Sequence, residues 1–257
     1  MGKSLLSSLE LNRIYQMDCL EGMKLIPDKS IDMILCDLPY GTTQCKWDEI
    51  IPFEPLWEQY KRVIKENGAI VLTASQPFTS SLIMSNPKWF KYCWYWNKVR
   101  GVGHLNAKKQ PLKSIEEICV FYKKQTKYHP QMRERVKPRQ SKNRSTQQVY
   151  GKSQDVFEGE VLDKRYPINI LTYSKSNQKD FMLHPTQKPV ELFEYLIKTY
   201  TSENEIVLDN CMGSGTTAVA CENLNRQWIG FETESEYIEI ANKRLESIDL
   251  KSDLSKL

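Results

Sequence analysis

The sequence predicts an α/β protein built on a doubly wound, mostly parallel sheet and interrupted by a basic insertion. Three observations carry this reading. Short apolar runs alternate with stretches whose apolar residues recur at helical spacing over most of the 257 residues, the pattern of strands covered by helices. Several of those runs stop at an acid, as in Ile34-Leu35-Cys36-Asp37, Val207-Leu208-Asp209 and Ile229-Gly230-Phe231-Glu232. Polar groups just past the carboxyl ends of strands are where open α/β sheets place ligands. Between Lys123 and about Asp163 the periodicity fails altogether.

The elements follow in order. Arg13 to Met17 reads as a strand ending at Asp18-Cys19, and Leu20 to Ile26 as a brief helix before the Pro27-Asp28 turn. Met33 to Cys36 is a buried strand. In Glu54 to Ile64 the apolar residues 56, 57, 60, 63 and 64 give a helix that Asn67-Gly68 is expected to end. Ala69 to Thr73 is a strand, Gln76 to Met84 a helix, Tyr92 to Trp96 an aromatic strand and Ile118 to Tyr122 another strand. Trp94, Tyr95 and Trp96 read as core before they read as a stacking platform. Order returns at Tyr166 to Leu171. The helix Val190 to Tyr200, the strand Glu205 to Leu208, the helix Ala218 to Leu224, the strand Gln227 to Phe231 and the helix Ser235 to Leu245 complete the chain. The division expected is 1–122, an insertion over 123–165, and 166–257 closing the first domain.

Composition sets the bounds. At 40% hydrophobic and 26% charged, the chain can bury a sizeable core. No run approaches the roughly 18 apolar residues of a membrane span, and the amino terminus has neither the apolar core of a signal peptide nor a myristoylation pattern. A cytoplasmic protein is expected. Seven scattered cysteines form no C-x-x-C and three histidines are far apart, so neither a metal site nor a disulfide framework is expected. The net charge of +4 is unevenly placed: residues 123–152 hold ten Lys or Arg against Glu134 alone, a local +9, which leaves −5 for the rest. A basic segment on an acidic body suits a polyanion meeting one region; the bland alternative is a solvated loop.

Two motifs carry chemistry. Asp37-Leu38-Pro39-Tyr40 can hold a planar amino group: the Asp37 carboxylate and the Leu38 carbonyl each accept an N–H, Pro39 stiffens the turn, and Tyr40 offers a ring face to a heteroaromatic base. An ordinary Asp-x-Pro turn is the competing reading. The stretch from Asp209 through Gly213, Gly215 and Thr216 is a strand, a glycine turn and a helix start, whose free N–H groups suit a ligand approached closely by backbone. Glu232, 17 residues beyond Gly215, ends the next strand, where an acid takes ribose hydroxyls. The spacing is neither G-x-G-x-x-G nor a phosphate-binding loop, which points to a nucleoside cofactor without pyrophosphate.

These two motifs, with His184-Pro185-Thr186-Gln187-Lys188-Pro189, resemble those of S-adenosylmethionine-dependent amino-methyltransferases of DNA, in the order of the permuted beta group. The resemblance covers nearly the whole chain outside the basic segment and implies a Rossmann-like methyltransferase fold. It implies Asp37 as the catalytic acid, Tyr40 as the residue stacking on the extruded base, and Asp209, Gly213, Gly215 and Thr216 as the cofactor loop. Glu232 would bind the ribose and Asp18 would lie near the adenine of the cofactor. Leu38 replaces the family's usual proline but supplies the same carbonyl. Asn210-Cys211 replaces the usual Pro-Phe, a change in packing beside the cofactor.

Alternatives remain at single positions. Asp18 can cap a helix before Leu20, Glu232 can cap the last helix, and Lys188 can neutralise the cofactor carboxylate or lie on the surface. His184-Pro185 reads as structural. An acid opening the catalytic motif is similar to adenine-N6 enzymes, whereas a serine there is usual for cytosine-N4 enzymes. Double-stranded DNA is then the partner, with Arg133, Arg135, Lys137 and Arg139 of the basic segment contacting phosphates, and the segment mobile until DNA orders it. A homodimer is an expectation carried by similar enzymes. The rival functions are cytosine-N4 methylation, amide methylation of a protein glutamine, and a silent nucleic-acid-binding relative; a dehydrogenase fits the loop spacing least.

Overall fold

The computed structural model describes residues 5–42, 48–140, 161–174 and 187–254. In chain order the elements are β1 (Leu5–Leu6), β2 (Leu9–Glu10), β3 (Arg13–Gln16), α1 (Cys19–Lys24), β4 (Ile31–Asp37), α2 (Phe53–Val63), β5 (Ile64–Ala74), α3 (Phe78–Ser85), β6 (Phe90–Val102) and β7 (Lys113–Phe121). They continue with β8 (Arg133–Gln140), β9 (Val161–Arg165), β10 (Ile170–Thr172), α4 (Val190–Tyr200), β11 (Ile206–Asp209), α5 (Thr216–Asn223), β12 (Gln227–Glu232) and α6 (Ser235–Leu254). No helix among the described residues is long and apolar enough to cross a membrane.

Eight strands form the main sheet in the order β10-β6-β7-β5-β4-β11-β12-β3. Every pairing is parallel except those of β7, which runs against both β5 and β6. The central strands read as continuous apolar runs because both faces are covered. Ile34 and Cys36 of β4, with Ile70 and Leu72 of β5, face one cluster that includes Leu56, Trp57 and Tyr60 of α2 and Leu82 of α3. Met33 and Leu35, with Ala69 and Val71, face the other, built on Leu192, Phe193 and Leu196 of α4 and Ala218 of α5. The period of two along a strand puts successive residues into opposite layers. Trp94 and Trp96 are buried in the second layer, as core.

Two local readings need correction. Asn67-Gly68 does not end a helix: α2 stops at Val63, and Asn67 and Gly68 lie inside β5. The glycine is required there by close approach, since a Cβ at Gly68 would meet the Asp32 carbonyl and the Ile64 side chain at 2.8 Å. The basic segment is not patternless either. Arg133–Gln140 pairs antiparallel with Val161–Arg165 in a two-stranded sheet of its own, with a register irregularity between Glu134 and Arg139. The ladder escaped notice because polar side chains are exposed along both strands, so no alternation marks it.

Chain contacts separate a compact unit over Pro130–Ile168 from the unit formed by the remainder. Residues 123–129 belong to the larger unit: Lys124 pairs with Glu66, Lys127 with Glu205, and the His129 N–H donates to Thr199 O at 2.8 Å.

Candidate active site

β4 and β11 are parallel neighbours, Leu208 standing opposite Ile34, so their carboxyl ends lie side by side although Asp37 and Asp209 are 172 positions apart in the chain. From β4 the chain moves one way, to β5; from β11 it moves the other way, to β12. This is the topological switch point, where a doubly wound sheet opens a crevice. A cavity of about 690 Å³ occupies it, lined by Asp18, Gly213 and Glu232 as well as Asp37, Tyr40 and Lys188. That volume lies in the ordinary range for small-molecule sites.

The catalytic-motif loop is held by two acids. Asp48 is 8% exposed and accepts from Tyr40 N at 2.7 Å, Gly41 N at 2.9 Å and Thr42 N at 2.9 Å, three successive amides fixed by one carboxylate. Asp37 is the centre of a second set. Its Oδ1 accepts from the Tyr40 hydroxyl at 2.7 Å, from Lys188 Nζ at 2.7 Å and from the Thr73 hydroxyl; its Oδ2 accepts from Lys188 Nζ at 2.6 Å. Thr73 stands opposite Asp37 in the ladder with β5, which places its hydroxyl there. The Tyr40 ring stacks on Phe78 at 5.3 Å and lies under the Lys188 ammonium at 5.6 Å.

Lys188 is not on the surface: its ammonium is buried on Asp37, with Glu116 3.6 Å away. Lys98 pairs with the other oxygen of Glu116 at 2.9 Å, so acids and cations alternate across β4, β7 and β6. Burial alone would raise the Asp37 carboxyl, but the Lys188 charge and the hydrogen bonds from Lys188, Thr73 and Tyr40 hold it below the usual carboxylate range. For Lys188 burial acts downward, and the charges of Asp37 and Glu116 outweigh it and raise the ammonium. The pair is therefore ionic at neutral pH.

Asp209 is built differently. It is 2% exposed and faces its own loop, accepting from Cys211 N at 3.0 Å and from the Thr217 hydroxyl at the start of α5. Burial is the main influence on it and pushes its carboxyl up to about 6. The acid expected beside a cofactor thus ties the glycine turn to the helix. Gly213 and Gly215 take φ of 53° and 80°, left-handed backbone that suits glycine. A Cβ at Gly215 would meet Ala241 of α6 at 2.7 Å, so this glycine also admits a helix. Thr216 Oγ1 donates to Lys188 O at 3.5 Å, linking the loop to the Lys188 segment, and Arg244 braces the turn through Ser214 O at 2.5 Å. Asn210 accepts from the buried Tyr60 hydroxyl at 2.6 Å, which fixes the departure from Pro-Phe to α2.

The two outer acids are both engaged by backbone amides and both line the cavity. Asp18 caps α1, accepting from Leu20 N at 2.8 Å and Glu21 N at 3.1 Å, and also lines the cavity. Glu232 accepts from Gly213 N at 2.7 Å and from Thr233 N and Glu234 N at 2.8 and 3.0 Å just ahead of α6. Sequence reasoning missed Thr73, Asp48, Glu116 and Lys98. Only Thr73 left a trace, as a polar residue near the end of an apolar strand beside the motif.

His184, Pro185 and Thr186 lie outside the described residues, whereas Gln187, Lys188 and Pro189 enter α4. In the hairpin unit, Arg133 donates to Tyr166 O at 3.2 Å and Arg135 to Lys164 O at 2.8 Å; Lys137 and Arg139 are exposed.

The cavity has the size and the polar lining of a small-molecule site. It brings the Gly213 backbone and the acid at the end of β12 into one crevice with the charged acid at the end of β4. A doubly wound sheet with an acid-lined cavity at its switch point defines the class of α/β proteins that bind a small molecule at the strand ends. Comparison with known proteins places the chain further. A family profile described as DNA methylase matches residues 31–243, and the chain belongs to that family. Type II methyltransferase M1.MboII of Moraxella bovis is 27% identical over 263 residues, covering 94% of this chain and 99% of its own. Type II methyltransferase M.HpaI of Haemophilus parainfluenzae is 28% identical over 248 residues, covering 91% and 74%. The crystal structure of an M1.HpyAVI–SAM complex superposes with a TM-score of 0.61 at 26% identity, covering 90% of this chain and 98% of that one. The protein is a DNA methyltransferase, and S-adenosylmethionine is its methyl donor.

Proposed function

We propose that the chain methylates the exocyclic N6 of adenine in double-stranded DNA at a specific sequence, as a member of the permuted beta group. The observation that carries this is the Asp37 carboxylate, kept ionic by Lys188 at the switch point and followed by the Leu38 carbonyl. An exocyclic amino nitrogen is a poor nucleophile because its lone pair is delocalised into the ring. Two acceptors can draw its N–H groups out of that plane and stabilise the positive charge that develops. Asp37 Oδ2 is engaged by Lys188 alone among the described residues, whereas Oδ1 has three donors. We assign Oδ2 to the incoming amine.

When bound, the cofactor supplies an electrophilic methyl group on a sulfonium. Glu232 and the amides around Gly213 would hold its nucleoside, with Asp18 near its adenine. Asp37 and Leu38 position the amine, and Pro39 keeps the turn between them stiff. The Tyr40 ring offers the stacking face, and its hydroxyl holds Asp37 Oδ1. Such a pocket cannot be reached by a base inside a duplex, so the target is flipped out. The expected roles of 1–122 and 166–257 as one catalytic domain, and of 123–165 in target recognition through Arg133, Arg135, Lys137 and Arg139, belong to this proposal, as do a cytoplasmic setting and a homodimer. Type II relatives suggest a restriction–modification setting.

The test is transfer of tritiated methyl from S-adenosylmethionine to duplex DNA, followed by nucleoside analysis. Label in N6-methyl-2′-deoxyadenosine supports the proposal. Label in N4-methylcytosine would support the cytosine alternative and overturn the adenine assignment.

A further inference from the structure

The hairpin between β6 and β7 has no part in the site as described, and its position and chemistry give it one. Asp37 is level with Thr73 on β5, Thr73 with Ile118 on β7, and Ile118 with Trp94 on β6. β6 is directed like β5 and β4, being antiparallel to β7 as β5 is, so its carboxyl end lies on the same edge of the sheet as Asp37. It does not stop there. The strand runs eight residues further, from Trp94 to Val102, which can carry the tip up to about 26 Å past the level of the catalytic acid. Lys98, Val102 and Lys113, on the two rising arms, line the cavity.

The tip is ordered but unsupported. Asn106 N donates to Gly103 O at 3.0 Å, Ala107 N to His104 O at 3.1 Å and Gln110 N to Asn106 O at 3.0 Å, which close a compact turn. Every residue from Val102 to Leu112 is exposed. Leu105, at the summit, is 101% exposed, and Val99, Val102 and Leu112 are 58%, 48% and 39% exposed. Single exposed apolar residues are ordinary, but four on one projecting turn are a surface awaiting a partner. The charge states the kind of partner: Arg100, Lys108, Lys109 and Lys113 fall between Val99 and Ile115, with no acid among them. Apolar tips flanked by Arg and Lys are the device by which proteins enter and unstack a duplex.

We infer that this hairpin docks on duplex DNA beside the target base, Leu105 entering the stack where that base leaves it and Arg100, Lys108 and Lys109 holding the flanking phosphates. The inference rests on the amino-methyltransferase reading, because a base seated at Asp37 brings its duplex against this same edge. It adds a second DNA contact, in the catalytic unit itself.

The experiment uses the full chain, Leu105→Ala, and two duplexes. In one the target base is normally paired; in the other it lies opposite an abasic site, where extrusion needs no wedge. Because Leu105 touches solvent only, the substitution leaves the fold intact, which S-adenosylmethionine affinity verifies. The ratio of kcat/KM on the paired duplex to that on the abasic duplex is expected to fall about tenfold. A 2-aminopurine placed at the target position should lose most of its fluorescence gain on binding. A wild-type ratio would overturn the inference, whether both rates are unchanged or both are reduced together. Failure of the wild-type protein to methylate either duplex would instead overturn the catalytic reading beneath it. Separately, Lys108→Ala with Lys109→Ala should reduce the slope of log affinity against log salt by about 1.8; an unchanged slope would remove these lysines from the interface.

Discussion

Two acids end neighbouring strands at the switch point, and their surroundings make them opposites. Among the described residues, Asp37 is met by a buried ammonium and two hydroxyls and no loop amide, and Asp209 by a backbone N–H and a hydroxyl and no cation. Burial acts upward on both. At Asp37 the Lys188 charge overcomes it and the carboxyl stays below its usual range; at Asp209 nothing does, and the carboxyl rises to about 6. Position at a strand end therefore does not assign a role to an acid. The first is kept charged, as the proposed acceptor of a nitrogen must be. The second folds the glycine turn, which the proposal gives to the cofactor.

Breaking the first acid should have the larger effect. Asp37→Ala is expected to lower single-turnover methyl transfer by at least about 10²-fold, while equilibrium dialysis finds S-adenosylmethionine affinity little changed. Breaking the second should act through the fold. Asp209→Ala leaves the Thr217 hydroxyl and the Cys211 amide without their acceptor, so chemical denaturation should show a loss of about 2 kcal/mol, with weaker cofactor binding as the glycine turn loosens. The milder Asp209→Asn sharpens the contrast. Because the folded carboxyl lies above its unfolded value, wild-type Asp209 favours the folded state least once it ionises, as pH rises through about 6. The Asn variant should lack that part of the decline in denaturation midpoint with pH. The Asp37–Lys188 pair works the other way, its stabilisation being present above the unfolded carboxylate value and lost as pH falls through the folded one.

Tyr40→Phe sharpens the picture of the first acid. A ring that only stacked would tolerate the change, but the hydroxyl donates to Asp37 at 2.7 Å. A loss of about tenfold in kcat is expected, the scale of one hydrogen bond to a charged group, and a wild-type kcat would return Tyr40 to stacking alone. The smallest effect lies farthest from both acids in function. Alanine at Arg133, Arg135, Lys137 and Arg139 should flatten the salt dependence of DNA affinity by about 2 in slope, since Arg133 and Arg135 already donate to carbonyls of their own unit. Cofactor affinity should not move, and coincident slopes would reduce the hairpin to a solvated one.

Much of this was legible in the sequence because the sheet is covered on both faces. Continuous apolar runs such as Met33 to Cys36 read as central strands, and the spacing in Val190 to Tyr200 matched α4 residue for residue. The switch point was legible through its acids. What stayed hidden has physical reasons. The reversed direction of β7 leaves no mark, since a buried strand has the same composition whichever way it runs. β8 is mostly charged and exposed and β9 is only five residues long, so neither carries a readable period. Lys188 meets Asp37 across 151 positions, a pairing fixed by the order of strands, so the sequence could offer only cofactor or surface for it. Asn67-Gly68 misled because a glycine needed for close packing in a strand looks the same as one that ends a helix.

The central claim is that Lys188 keeps Asp37 charged for its amine. It is tested most directly by the pH dependence of single-turnover methyl transfer in wild type, Lys188→Gln and Lys188→Arg. The wild-type acid limb should lie below the ordinary carboxylate range, since the folded Asp37 carboxyl is held down. Without the ammonium, burial should dominate and carry the acid limb of Lys188→Gln upward in pH, while Lys188→Arg restores most of the shift. Superimposable acid limbs in wild type and Lys188→Gln would contradict the account.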